Sequence, residues 1–171
     1  MRRHVLLAAF ILLVVPSVLE AQPRLMFGGG VTSPNGAISD IADTGYHIRG
    51  GLHITIPTVP VGIRADGAYH RLSSADAAFE NTTVLAGALS LVVPLPGVGL
   101  SPYLLGGLGS YRTDSGAVGS TVTVTNSGYH GGFGINLGAV GFGGFVEIRY
   151  VVINGEGPNT KLIPLTFGLR L

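Results

Sequence analysis

The chain has 171 residues, a formal net charge of +1 and no cysteine. Without cysteine it has no disulfide framework, no lipoprotein acylation site and no thiolate metal site. Charged residues make up only 11% of the sequence, so there is no basic surface for a nucleic acid and that class of partner is excluded. With 46% hydrophobic residues, the chain can bury a core and is not expected to be disordered.

The first 21 residues are predicted to form a secretory signal peptide. A basic start at residues 1–4 precedes an uninterrupted apolar run at 5–15, and a short segment then ends at the small residue Ala21. The apolar run is about half the ~20 residues that a spanning helix needs, which disfavours a permanent anchor. Because Arg2, Arg3 and Glu20 leave with the peptide, residues 22–171 form one neutral domain with eight basic and eight acidic side chains.

Alternating apolar and polar residues predict β-strands through the rest of the chain. Tyr46, Ile48 and Ile54 share one parity, whereas Arg49 and His53 share the other, as expected for a strand between lipid and a polar interior. Eight such segments are expected, at residues 24–32, 45–56, 59–72, 82–93, 100–112, 128–137, 142–153 and 161–171. They predict an all-β fold, an eight-stranded antiparallel up-and-down transmembrane β-barrel. The 28 glycines suit a small, strongly curved barrel of this kind.

The predicted connections alternate in length, as they do in bacterial outer-membrane barrels, where short turns face the periplasm and longer loops face outside. The short turns are expected at 57–58, 94–99 and 138–141, and the longer polar loops at 33–44, 73–81, 113–127 and 154–160. The Thr-Val alternation from Thr121 to Thr125 predicts a hairpin that extends past the membrane. Its edge could recruit a surface ligand by strand addition.

A helical membrane protein is the main competing interpretation, because residues 84–111 contain no charged side chain. Pro94, Pro96 and Pro102 interrupt that stretch. The longest run free of charge and proline, 81–93, is shorter than the roughly 18 residues expected of a spanning helix. Two strands joined by a proline turn are therefore the better interpretation.

Charged residues inside the predicted strands are expected to line the lumen, because an Arg or Lys facing lipid at the midplane costs about 2–4 kcal/mol. Asp66 and Glu147 are predicted hubs of an ion network that fills the lumen. Its predicted members are Arg49, His53, Arg64, Asp66, Glu147, Arg149 and Arg170, with His47 and His70 also facing inward. Such a network favours a plugged lumen. The alternative is a narrow path for ions or small solutes.

Four tyrosines of outward parity are expected to form an aromatic girdle at the membrane interface, namely Tyr46, Tyr69, Tyr129 and Tyr150. Arg71 has the same parity and lies at the outer end of its predicted strand. There it is expected to reach the phosphates of lipopolysaccharide. Outer-membrane lipid is therefore a predicted partner. An apolar outward parity also disfavours a soluble ligand-binding barrel, whose outside would be polar.

Four segments resemble the small outer-membrane β-barrel family related to OmpA, OmpX and OmpW. They are PYLLGGLG at 102–109, GYHGGFG at 128–134, FVEIRY at 145–150 and IPLTFGLRL at 163–171. The resemblance implies the same barrel in the outer membrane of a Gram-negative bacterium, with a structural or envelope-interaction role and no cofactor. The last segment also resembles the signal that the barrel-assembly machinery recognises, carried here by Phe167, Leu169 and Leu171.

An enzyme that modifies lipid A is the third hypothesis, since some barrels of this size have that activity. It needs a nucleophile, a base and an orienting carboxylate within hydrogen-bond reach. Only His70, Ser73, Ser74 and Asp76 combine suitable types near the outer rim, and His70 has inward parity. No enzymatic activity is therefore expected. The spacing of the five histidines predicts no metal site.

Overall fold

The computed structural model describes residues 22–55, 59–75, 80–97, 100–116, 119–138, 143–155 and 158–171, and the predicted signal peptide lies outside them. The strands are β1 (Gln22–Gly36), β2 (Ala42–Thr55), β3 (Gly62–Ser74), β4 (Thr82–Pro94), β5 (Ser101–Ser115), β6 (Val122–Leu137), β7 (Gly143–Ile153) and β8 (Thr160–Arg170). One short 3-10 helix, Ala37–Asp40, follows β1. In the described part of the chain no helix is long and apolar enough to cross a membrane.

The eight strands form one closed antiparallel barrel. Each strand pairs with the next along the chain, and β8 returns to pair with β1. Closure removes the open sheet edges, so that backbone groups in the wall are bonded between strands as a lipid environment requires. The predicted all-β, eight-stranded antiparallel barrel is confirmed.

Side chains alternate between a lipid-facing and a lumen-facing surface. Apolar side chains of the outward parity are widely exposed, for example Ile48 at 61%, Leu89 at 63% and Leu108 at 71%. Most charged side chains of the inward parity, including Glu147 and Arg149, are buried. An apolar outside around a polar inside is the arrangement of a membrane barrel.

Glycines in the wall make room for large lumen side chains. A Cβ on Gly134 would overlap Cζ of Tyr103, and a Cβ on Gly168 would overlap Cε1 of Phe145. Both glycines pair with the strand that carries the aromatic residue. The two rings thus occupy space that a side chain on the neighbouring strand would need, which accounts for part of the glycine excess.

The predicted contrast between short turns and longer loops is wrong, because the four outer connections between strands span five to seven residues and the three at the other end span five or six. Residues 33–36 belong to β1 and pair with β8, although Ser, Pro, Asn and Gly favour turns and predict a loop there. Likewise β5 continues to Ser115 and β6 begins at Val122, so that 116–121 joins them with the same number of residues as 95–100 at the other end. Residues that were predicted as outer loops extend the strands instead. The predicted hairpin is formed by β5 and β6.

Candidate functional site

Five of the seven predicted network members meet in the middle of the lumen. Arg49 comes from β2, Arg64 and Asp66 from β3, and Glu147 and Arg149 from β7. Residues two apart on a strand face the same side, which explains why each of the last two strands supplies two members. All five side chains are buried.

Glu147 receives four donors. Arg49 Nη1 donates to Oε1, and Arg64 Nη1 donates to Oε2 at 2.5 Å. Arg149 Nε donates to Oε1 at 2.6 Å, and the hydroxyl of Tyr103 donates to Oε2 at 2.7 Å. The side chain of Glu147 has no exposed surface, so these bonds replace its hydration, and the buried charge is stabilised only while they hold.

Asp66 is the second acceptor, and Arg149 connects it to Glu147. Nη1 of Arg149 donates to Oδ1 of Asp66 at 2.9 Å and Nη2 donates to Oδ2 at 3.3 Å. This bidentate geometry suits the planar guanidinium group. Arg49 Nε forms an ion pair with Asp66 at 3.6 Å but no hydrogen bond. Two carboxylates therefore hold three arginines in one connected network.

His53 and Arg170 are not brought into this network, contrary to the prediction. His53 is buried, and its Nε2 lies 3.2 Å from Oγ1 of Thr55. Arg170 is half-buried and makes no ion pair with any carboxylate that the structure describes. Arg170 lies at the end of the barrel where β8 ends. His53 is paired with Arg64, which reaches Glu147, but the shorter side chain of His53 lies against Thr55 instead.

Tyr103 is a network member that the strand pattern did not identify. It lies on β5 in register with Gly134 of β6, which in turn pairs with Glu147 of β7. Its ring also faces the guanidinium of Arg64, with Cζ 5.2 Å from the ring centroid. The sequence offered one signal for this role, because Tyr103 has inward parity and the next strand is rich in glycine at the same parity.

Hydroxyl and imidazole groups form a second polar layer above the ion network. Oγ1 of Thr32 lies 2.9 Å from Nδ1 of both His47 and His70, whose ring centroids are 5.2 Å apart. Nε2 of His47 lies 2.9 Å from Oγ1 of Thr166. The inward placement of both histidines agrees with their parity, but their bridging by Thr32 depends on strand register.

The outer end of the lumen is filled by apolar side chains. The cluster joins Ile38 from the short helix to Leu72, Val84 and Leu162 from three strands. Beside the ion network, a cavity of about 10 Å³ lies against Arg49, Arg64 and Asp66. That space is near the minimum of ~10–15 Å³ that one water needs.

The predicted girdle and assembly residues all lie on the outer surface. Tyr46, Tyr129 and Tyr150 are exposed and Tyr69 is half-buried. Along β8 the exposed side chains are Phe167 and Leu169, followed by Leu171 after the strand ends. These positions face the lipid, and the roles predicted for them stay predictions.

The residues considered for catalysis are separated. His70 is buried in the lumen against Thr32, whereas Ser73 is exposed on the opposite face of β3, and Asp76 lies outside the described residues. Within the described ranges no three His, Asp or Glu side chains are grouped so that they could hold a metal ion. His70 and Ser73 therefore do not come together as the catalytic hypothesis requires.

Comparison with known proteins agrees with this architecture. Residues 5–170 match the family described as outer membrane protein beta-barrel domain, and no curated protein matches the chain at a significant level. Neisserial surface protein A is similar in structure with a TM-score of 0.74 at 15% identity, over 88% of this chain and 97% of that one.

Two further structures share the fold. Ail, the attachment invasion locus protein of Yersinia pestis, has a TM-score of 0.59 at 11% identity, over 87% of this chain and 97% of that one. The N-terminal β-barrel domain of Pseudomonas aeruginosa OprF has a TM-score of 0.51 at 14% identity, over 89% and 100%. Such low identities speak for the fold alone, and it is the family match that supports an outer-membrane location. The chain belongs to the outer membrane protein β-barrel domain family.

Proposed function

We propose that this protein is an outer-membrane barrel with a structural or envelope-interaction role, and that its lumen is closed by the polar and ionic network. The observation that carries the proposal is the fourfold bonding of Glu147 by groups from four strands. A solute passing the middle of the lumen would have to break those bonds. Separating a buried ion pair costs about 3–5 kcal/mol.

Two other features of the lumen support closure. The apolar cluster around Ile38 and Leu72 fills the outer end, where an ion would lose its hydration. The cavity beside Arg49 has a volume of about 10 Å³, which is too small for a hydrated ion. A narrow channel for ions or small solutes is the alternative to this proposal.

Conductance across a planar lipid bilayer tests closure. The refolded full chain should give no steady current steps, whereas Glu147→Ala, which removes the shared acceptor, should give intermittent ones. Asp114→Asn is the control, because this carboxylate lies on the exposed outer hairpin. Steady steps from the unchanged protein would establish the channel instead.

Lipopolysaccharide is the proposed lipid partner at the outer surface. Arg71 is exposed and lines an open surface depression of about 480 Å³ with Tyr69, Glu80, Asn81 and Thr83. A guanidinium at this level can pair with a lipid phosphate. Binding of lipopolysaccharide to the refolded protein should weaken in Arg71→Gln and persist in Arg112→Gln, a second exposed arginine on β5.

Surface ligands are proposed to bind through the outer connections, above all the β5–β6 hairpin. A structure of Ail, which shares the fold, was solved in complex with the heparin analogue sucrose octasulfate. Deletion of residues 118–125 is the test here. Loss of cell-surface binding with retained folding supports the hairpin as the site, and unchanged binding removes it.

Export by the signal peptide and insertion by the barrel-assembly machinery through β8 complete the proposal. The protein should appear in the outer-membrane fraction and migrate faster on a gel before boiling than after. We also propose that it is no enzyme, so lipid A from cells that produce it should keep its acylation pattern. A soluble or inner-membrane protein without a mobility shift would contradict the export proposal.

A further inference from the structure

The charges that face the lumen do not balance. Within the described strands, five arginines and two carboxylates have inward parity, which leaves an excess of three positive charges. They are Arg24, Arg49, Arg64, Arg149 and Arg170 with Asp66 and Glu147. In a narrow barrel with low-dielectric walls, such an excess focuses a positive potential on the interior.

Most of this excess lies at one end of the lumen. Arg24 pairs with His53 across β1 and β2, and His53 pairs with Arg64 across β2 and β3. Arg170 of β8 pairs with Met26, two residues from Arg24. Arg24, His53 and Arg64 therefore occupy neighbouring positions on three consecutive strands, and Arg170 lies on β8 beside β1. This is the end where β1 begins and β8 ends, the periplasmic end of such a barrel.

Within this cluster Arg64 is paired with Glu147, whereas Arg24 and Arg170 have no carboxylate partner among the described residues. Asp66 and Glu147 are bonded to Arg49, Arg64 and Arg149, and the described residues contain no ion pair to Arg24 or Arg170. Nε of Arg64 and Nδ1 of His53 are buried and have no hydrogen-bond partner. Buried polar atoms are almost always paired, so these two orphaned atoms point to a missing polar partner.

We propose that the periplasmic mouth of the lumen binds a phosphate-class oxyanion, held chiefly by Arg24 and Arg170. Guanidinium groups bind tetrahedral oxyanions through charge-assisted, often paired hydrogen bonds. Both arginines are half-buried, so they remain reachable from the periplasm while their charges are poorly screened. The site is on the periplasmic side of the Glu147 network and needs no open pore.

The oxyanion has two possible sources, free inorganic phosphate or the phosphate of a lipid headgroup. Refolded full chain in a non-ionic detergent is titrated with inorganic phosphate and, separately, with a short-chain phosphatidylglycerol, each against chloride at equal ionic strength. The melting temperature should rise and saturate with at least one of the two. A rise with phosphate identifies the free anion, and a rise with phosphatidylglycerol alone identifies the headgroup.

The matched variants are Arg24→Gln with Arg170→Gln as a double substitution, and Arg112→Gln as a control on the exposed outer hairpin. The double variant should bind the stabilising anion at least about tenfold more weakly, while Arg112→Gln should bind it as the unchanged protein does. Gel mobility before boiling establishes that each variant is folded. If the double variant does not fold, each single substitution is measured in its place. A melting temperature that follows ionic strength alone, or saturable binding that survives the loss of these arginines, overturns the proposal.

Discussion

The hydroxyl of Tyr103 on β5 donates a hydrogen bond of 2.7 Å to Glu147 on β7, passing over Gly134 of the strand between them. The tyrosine therefore reaches a residue two strands away. This is possible because Gly134 has no side chain where the ring lies. Because Gly134 lacks a side chain, the Tyr103 hydroxyl can reach the buried carboxylate of Glu147 and bond to it.

Tyr103→Phe should lower the free energy of unfolding by about 1.5–3 kcal/mol, the range for a hydrogen bond to a charged group. The ring would still fill the same space, so the change isolates the hydroxyl. Tyr129→Phe is the control, since Tyr129 is exposed on the lipid side. Denaturant unfolding in lipid vesicles followed by fluorescence measures both, and equal stabilities for the two variants would contradict the role of the hydroxyl.

Gly134→Ala should destabilise the barrel by about 1–3 kcal/mol or prevent its folding, because the added methyl overlaps the Tyr103 ring. Gly131→Ala on the same strand is the matched control. Its Cβ would face outward, with the nearest atom 3.9 Å away. The fraction that migrates as folded protein on an unboiled gel is the measurement. Comparable folding of both variants would show that the ring can move aside at little cost.

Glu147→Ala should lower the free energy of unfolding by about 3–5 kcal/mol, because three buried arginines lose a shared acceptor. Arg64 is left with no other described carboxylate partner, whereas Arg49 and Arg149 keep Asp66. Thermal melting monitored by circular dichroism reports the change, with Asp114→Asn as the exposed control. An unchanged melting temperature would remove Glu147 from the network.

Amide hydrogen exchange should alternate along the outer part of β6. The carbonyl of Ser127 accepts from the amide of Asn154, so Thr123 and Thr125 also point their backbone groups toward β7. Pairing with β7 stops at Gly128, and no described residue bonds to these two threonine amides on that side. They should exchange faster than the amide of Val124, which faces β5. Uniform protection across the three positions would reveal an unrecognised partner strand.

The strand parity can be predicted from sequence because the lipid-facing side chains of a strand must be apolar, which confines charged side chains within the membrane to the other parity. Parity alone therefore identifies Arg49, Arg64, Asp66, Glu147 and Arg149 as lumen residues. It does not identify their partners. Arg149 and Asp66 are 83 residues apart in sequence, and which carboxylate meets which arginine depends on the stagger of strands around the barrel.

The predictions that failed did so because the pattern of one strand carries no information about the strands beside it. Arg170 has the parity of the network but lies four residues beyond Thr166, the register partner of Glu147. His53 is paired with Arg64 but has a shorter side chain, and parity carries no information about either relationship. Residues 33–36 have the composition of a loop, but their pairing with β8 outweighs the local preference for turns. The importance of Tyr103 arises from Gly134 on the neighbouring strand, a relationship that the pattern of a single strand cannot reveal.

The distribution of the buried charges also has a consequence for biogenesis. The members of the ion network belong to β2, β3 and β7, and Tyr103 belongs to β5. The β2–β3 hairpin contains Arg49 and Arg64 with Asp66 alone, so if it entered the bilayer by itself it would carry an uncompensated charge into hydrocarbon. Stepwise insertion is therefore disfavoured, and the chain should cross into the membrane as a nearly complete sheet whose charges pair as β8 meets β1.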